Sequence, residues 1–325
     1  LIRLLKSIYE KLVEREMTES EENGYDVLVI GRYFCDLVFT QLPEFPRLGH
    51  EVYSREFHLV PGGVFTPAVT LTRLGLRAAW PCEFGSDPFS QYVNNEALKA
   101  GVDNAFFSQS DQPSLRITVA FSFGEERAFL SYTDPLPEIP YVEIIRQTRP
   151  TWVYLTHLMT GEAQEKITIA AHEMGALVYM DCQAHHTMIS DLDTSAALGR
   201  VDVFSPNRAE ALALTGEENI EIALDKLCAL TEIVIIKDGG NGCLCRYPGG
   251  VIRSPAMEVE VVDTTGAGDN FNCGFIYGQI KGYSLKESLR IGNICGGLSA
   301  EVVGGGNDHI NPQEINQRLG NYQAN

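Results

Sequence analysis

The run VVDTTGAGDNFNCGFIYGQIKG, residues 261–282, joins a glycine-rich turn to a stretch in which Phe271, Phe275, Ile276 and Ile280 can face a core. Such a join exposes a helix N-terminus. Its unpaired backbone N–H groups and positive dipole end hold an anion, and Gly266 and Gly268 let a phosphate approach without meeting a Cβ. Asp269 stands at the same turn. A carboxylate there can accept the proton of a hydroxyl attacking a phosphoryl group, or it can cap the helix, a position that Asp favours. The residues alone leave both roles open. Two other phosphate-binding patterns are missing: the chain has no GxxxxGK[ST], and Gly31, after the first apolar run, is followed by Arg-Tyr-Phe-Cys-Asp rather than by GxGxxG.

The elements that position this turn follow from hydrophobic patterning. YDVLVIG reads as a buried strand ending at Gly31, and a helix from Thr66 to Leu74 follows a Pro-Gly-Gly turn. The β-branched runs at 151–156, 176–181, 201–205 and 232–237 alternate with helical segments, which implies a parallel sheet with helices on both faces. Two segments, about 36–60 and 106–132, alternate apolar and polar residues around turns such as Gly124-Glu125-Glu126 and predict hairpins. Together they make a small sheet suited to be a lid, which keeps water from a phosphoryl group. Residues 1–24 read as a charged amphipathic helix and acidic linker, ahead of one large domain over 25–320.

Composition excludes several classes. A net charge of −18 argues against a nucleic-acid surface, which needs clustered Lys and Arg. No uninterrupted apolar run is long enough for a membrane span, and the first residues lack the apolar centre and cleavage site of a secretion signal. Eight cysteines without CxxC spacing, in a chain too long to need disulfide staples, point to a reducing, cytoplasmic compartment. Cys182, His185 and His186 match no zinc spacing.

The segment DTTGAGDNF resembles the C-terminal signature of the ribokinase-like, or PfkB-type, carbohydrate kinases, and the resemblance runs from about residue 26 to 312 with its motifs in order. It implies an α/β three-layer sandwich with a central, mostly parallel sheet and a small β-sheet lid. It assigns Asp269 as catalytic base and Gly266, Ala267 and Gly268 as the anion hole. GRYFCD is similar to the family segment whose last residue, here Asp36, binds substrate hydroxyls, and PGGVFTPAVTLTRLG to the one in which Gly62 and Gly63 approach the substrate. Thr66 stands where that segment carries Asn and offers fewer hydrogen bonds. Asp87 lies in register as a structural residue.

By the same resemblance, Asn207 and Glu210 of NRAE organise magnesium and the nucleotide phosphates, Glu210 through water, although the pair also suits an N-cap and an exposed helix residue. Lys237, Gly239, Gly242 and Asn293 line the nucleotide site. Asp263 and Thr265, with Gly304-Gly305-Gly306, suit a potassium loop. Gln183 and His185 replace the family's Asn and Arg, which removes a bidentate donor for an acidic group and favours a neutral acceptor.

The implied activity is therefore transfer of a phosphoryl group from ATP, with Mg2+, to a hydroxyl of a small neutral sugar or polyol. A nucleoside is the rival acceptor, with Phe34, Phe65 and Phe121 as candidate stacking residues. A noncatalytic sugar-binding or regulatory protein of the same fold is the other alternative. The lid also suits pairing into a homodimer.

Overall fold

The structure, a computed structural model, describes residues 24–123, 126–135, 138–183, 187–302 and 309–322. The expected N-terminal helix, the 124–125 turn, His185, His186 and the Gly304–Gly306 loop lie outside the described residues.

Short apolar runs become the strands of the main sheet, and the alternating segments become those of a smaller one. In chain order these are β1 (Val27–Ile30), β2 (Tyr33–Thr40), β3 (Glu56–Gly63), β4 (Ala78–Ala79), β5 (Cys82–Phe84), β6 (Phe107–Gln109), β7 (Arg116–Phe123) and β8 (Glu126–Thr133). β9 (Trp152–Leu155), β10 (Leu177–Asp181), β11 (Val203–Ser205) and β12 (Ile233–Lys237) then alternate with helices, and β13 (Cys243–Tyr247) and β14 (Gly250–Ser254) form a closing hairpin. Among the described residues the main sheet has the order β14-β13-β12-β11-β10-β9-β1-β4. Every pair from β12 to β4 is parallel, and only the β12–β13–β14 edge is antiparallel.

Strand alternation divides the interior into two cores. Val27, Val29, Trp152, Tyr154, Tyr179 and Ile235 face one layer of helices. Leu28, Ile30, Val153, Leu155, Val178 and Ile236 face the other. Burial on both faces is why these strands are apolar throughout instead of alternating, and the result is the expected three-layer arrangement. Helix Ala267–Ile280 lies deep in the first layer, with residues 270–279 all buried. Helix Phe65–Arg73 packs on it, and Thr70 Oγ1 lies 2.6 Å from Asn270 Oδ1.

A smaller sheet has the order β3-β2-β7-β8, with β2 and β7 parallel at its centre. It reaches closer to the main domain than the expected segment 36–60, because β2 and β3 stay paired from Thr40–Glu56 down to Tyr33–Gly63. Residues 107–109 do not belong to it. They form β6 and pair with β5, since Phe107 is drawn into the core against Trp80 and Phe84, at ring-centroid distances of 5.3 and 5.0 Å. Asp87 caps helix Pro88–Lys99 by accepting from the Phe89 and Ser90 amides, and it also accepts from Ser114 N at 2.9 Å. All eight cysteines are free. Among the described residues no helix is long and apolar enough to cross a membrane.

Candidate active site

The parallel strands β1, β9, β10, β11 and β12 share one direction, so their carboxyl ends deliver the following residues to one edge of the sheet, where open α/β sheets bind ligands. The helix that carries Asp269 starts there. Its N-cap is Gly266, at φ 71° and ψ 0°, a left-handed conformation that a side chain would strain. Asp269 is therefore the third residue of the helix, and no side chain caps this end. The capping alternative for Asp269 is not realised. Ala267 N–H is engaged by Thr264 C=O at 3.2 Å. The amides of Gly268 and Asp269 belong to the first turn, where a helix offers no carbonyl of its own. A Cβ on Gly268 would stand 3.4 Å from Lys237 Nζ, so the lysine lies directly beside the helix start.

Behind Asp269 lies a buried polar network centred on Asn272. Its Nδ2 donates to Asp181 Oδ2 at 2.7 Å and to Tyr154 Oη at 2.9 Å. Its Oδ1 accepts from Tyr179 Oη at 2.7 Å, Ser205 Oγ at 3.2 Å and Lys237 Nζ at 3.3 Å. Lys237 also pairs with Asp181 Oδ1 at 2.8 Å. Burial pushes the Asp269 carboxyl up, the charges of Asp181 and Glu210 push the same way, and Lys237 and Tyr154 only partly oppose them, which brings it to about 7. Glu210 is likewise raised, by burial and then by Asp181. Asp269 is thus poised to exchange a proton near neutral pH.

These groups border a cavity of about 710 Å3. Of the residues expected at the nucleotide and catalytic sites, Asn207, Glu210, Lys237, Gly239, Gly242, Asn293, Gly266, Ala267, Gly268 and Asp269 all line it. Asn207 and Glu210 form a capping box on helix Arg208–Thr215: the Glu210 amide donates to Asn207 Oδ1, and the Asn207 amide to Glu210 Oε2. The structural alternative for this pair is therefore real, and it coexists with a place on the cavity wall. Asn293 Nδ2 is turned toward the protein and donates to Ser254 Oγ and Pro255 O, both at 3.0 Å, tying the end of β14 to helix Leu285–Ala300. Asp263 Oδ1 accepts from Thr265 N at 2.8 Å and Thr265 Oγ1 at 2.7 Å, shaping the turn ahead of Gly266.

Asp181, Glu210 and Asp269 together outnumber Lys237 in charge. Among the described residues no set of three His, Cys, Asp or Glu side chains is arranged as a metal cage. A divalent cation here would rest on one or two carboxylates with water and phosphate oxygens, which suits Mg2+.

The expected acceptor residues form a second group that does not line this cavity. Asp36 on β2 faces Gly62 on β3 so closely that a Cβ at Gly62 would meet Asp36 Oδ2 at 2.2 Å. At Gly63, with φ 60°, a Cβ would meet Arg32 O at the same distance. Burial pushes Asp36 up to about 6 against a hydrogen bond from Thr118. Thr66 is buried in the first turn of helix Phe65–Arg73, and the packing of that helix on Ala267–Ile280 joins the two groups. Asp181, Asn272 and Tyr154 were not singled out from the sequence. Their signals were a carboxylate ending the apolar run LVYMD and an amide inside the apolar helix segment NFNCGFI.

The model of the pfkB family carbohydrate kinases matches residues 26–312. An ATP-dependent 6-phosphofructokinase of Thermoanaerobacterium thermosaccharolyticum is 24% identical, over 87% of this chain and 90% of the relative. A 5-dehydro-2-deoxygluconokinase of Bacillus subtilis is 25% identical, over 88% and 92%. Among solved structures, Arabidopsis thaliana ribokinase complexed with ribose and ATP superposes with a TM-score of 0.76 at 21% identity, covering 91% of this chain and 99% of that one. A putative ribokinase II from E. coli in complex with ATP and Mg2+ gives 0.73 at 20% identity, covering 91% and 99%. A Methanocaldococcus jannaschii nucleoside kinase gives 0.72 at 18% identity, covering 92% and 99%. The fold is ribokinase-like. Because the family match spans nearly the whole α/β unit that builds this site, the chain belongs to the PfkB family of carbohydrate kinases.

Proposed function

We propose that this kinase transfers the γ-phosphoryl group of ATP directly to a hydroxyl of a small sugar or related polyol, with Asp269 as the base. The observation that carries this reading is the Asp269 carboxyl, raised to about 7, in the first turn of a helix whose start is free of a side-chain cap. Asp36 and the Gly62–Gly63 turn orient the acceptor. Asp269 takes the proton of the attacking hydroxyl as its oxygen bonds to the γ-phosphorus and the bond from that phosphorus to the bridging oxygen breaks, leaving ADP, and the first-turn amides with Lys237 hold the phosphate oxygens in line. Asn207 and Glu210 are the side chains placed to hold Mg2+, which when bound supplies neutralisation of the phosphate charge. Asp263 and Thr265 support a companion proposal of potassium activation at the turn beside the anion hole.

The small sheet serves as the lid. Its residues Phe57, Phe129, Leu130 and Tyr132 are exposed, which supports a homodimer formed lid to lid. The free cysteines support a reducing, cytoplasmic setting. A nucleoside acceptor is favoured only by Phe34, beside Gly63; Phe121 is engaged with Phe39 and Phe45, and Phe65 packs against the core.

The test is ADP release from ATP and Mg2+ over a panel of neutral sugars, sugar acids, sugar phosphates and nucleosides, in KCl and in NaCl, with Asp269→Asn alongside. Acceptor-dependent turnover that falls by about 10²–10⁴ in Asp269→Asn is the expected result. Acceptor binding without turnover across the whole panel would replace the kinase reading with a noncatalytic one.

A further inference from the structure

The carboxyl ends of β1 and β9 border a second cavity, of about 140 Å3, whose wall includes Gly31, Arg32, Glu83, Arg116, Tyr141 and His157. Its volume is that of about four or five water molecules, enough for one carboxylate or phosphate group. Arg116, on β7, is only 3% exposed. Its Nη1 donates to Glu83 O at 3.1 Å and its Nη2 to Ser114 Oγ at 2.9 Å, and the guanidinium lies 4.4 Å from the centroid of the Tyr33 ring. Its third nitrogen, Nε, is buried without a partner. Glu83 meets Arg116 through its backbone carbonyl, and among the described residues no carboxylate lies within ion-pair distance of Arg116 or Arg32. A buried guanidinium with an unmet donor and no counter-ion is costly, and the cost falls away when an anion arrives.

Arg32 supplies a second positive charge at the same wall. Its carbonyl accepts Val64 N–H at 2.9 Å, which fixes it to the Gly62–Gly63 turn of the acceptor group. His157 follows β9, and burial together with the charge of Arg32 pushes it down to about 4, so it is a neutral hydrogen-bonding group here. His157 follows β9 and Asp181, the carboxylate of the Asp269 network, ends the adjacent parallel strand β10, so both cavities lie on one edge of the sheet.

We propose that this cavity is an anion subsite of the acceptor site, in which Arg116 and Arg32 hold a carboxylate or phosphate group carried by the acceptor, so that the enzyme phosphorylates an acidic sugar or a sugar phosphate. The proposal rests on the kinase reading above and replaces the neutral acceptor expected from position 185. A guanidinium is supplied here from β7 and from the β1–β2 junction instead.

The experiment compares acceptors of one carbon skeleton bearing a hydroxymethyl, a carboxylate or a phosphate ester. Turnover is measured for the wild type, Arg116→Met and Arg32→Gln, and calorimetric binding of the same compounds is measured without ATP. Two charge-assisted hydrogen bonds correspond to a preference of at least about 100-fold in kcat/KM for one anionic acceptor over its neutral counterpart. That ratio should fall to within about fivefold in either variant, and which anion is preferred distinguishes carboxylate from phosphate. Arg32 is exposed, so Arg32→Gln keeps the test valid if Arg116→Met fails to fold. Equal or better turnover of the neutral compound overturns the subsite and leaves the kinase standing. Anion binding that is lost in both variants, without turnover of any compound, keeps the subsite and overturns the kinase reading.

Discussion

Replacing Asp181 with Asn should make the enzyme more active in acid relative to its own plateau, because Asp181 is the strongest charge holding a proton on Asp269. After burial, Asp181 is the largest cause of the raised Asp269 value of about 7, ahead of the opposing Lys237. The substitution removes this like charge and also releases Lys237 from its 2.8 Å ion pair, and both changes favour the ionised Asp269. A like charge at such a site is worth about 1–3 pH units, so the acid limb should move from near 7 to about 6 or below. Only the deprotonated base is competent. At pH 6 the wild type should therefore retain about one tenth of its plateau kcat/KM, and Asp181→Asn about one half. The assay is the pH profile of kcat/KM with both substrates below saturation, each protein normalised to its own plateau so that lost binding does not enter. Glu210→Gln should move the limb in the same direction by less. An acid limb that stays in place or moves upward in Asp181→Asn would refute the electrostatic account of Asp269.

Stability should move against activity at the same residue. The folded value of about 7 lies above the 3.8 of an unperturbed carboxyl, so holding Asp269 ionised costs nothing below pH 3.8, progressively more between 3.8 and 7, and the full amount above 7. That amount is at most about 4 kcal/mol. Asp269→Asn should accordingly melt on the order of 5 °C above the wild type at pH 8 and show no such gain at pH 4, as followed by calorimetry; equal melting temperatures at pH 8 would remove the burial argument. Gly62→Ala places a Cβ where Asp36 Oδ2 lies 2.2 Å away, and it should raise KM for the acceptor at least about tenfold while leaving KM for ATP within about twofold. Asn272→Leu strands Asp181, Tyr154 and Lys237 without a shared partner and should lower thermal stability by about 3 kcal/mol or more, read from denaturant unfolding.

The parallel sheet, the glycine-bounded helix start and the place of Asp269 in its first turn were legible in the sequence because each depends on neighbours along the chain. A run such as VLVI is apolar enough to be buried on both faces whatever covers it. A glycine pair ahead of an apolar-periodic segment makes a helix N-terminus from local geometry alone. Asn207 was legible as an N-cap for the same reason, whereas Glu210, read locally as an exposed helix residue, is half-buried and closes the capping box from N3.

What escaped the sequence depends on contacts between distant segments. Residues 107–109 pattern like their lid neighbours, and only the pull of Trp80 and Phe84 on Phe107 shows that they pair with β5. Asn272 reads as one amide in an apolar helix until the fold brings Tyr154, Tyr179, Asp181, Ser205 and Lys237 around it from four strands. Arg116 looks like the polar side of an alternating strand, yet the tertiary structure buries it beside Arg32 with a donor unmet. Sequence by itself determined that a helix starts behind the glycine turn and that Asp269 stands in its first turn, because those are properties of a single turn. Tertiary structure alone decided the charge state of that carboxylate and the placement of the arginines, because desolvation and Coulomb interaction act through space and are set by how segments far apart in the chain pack together.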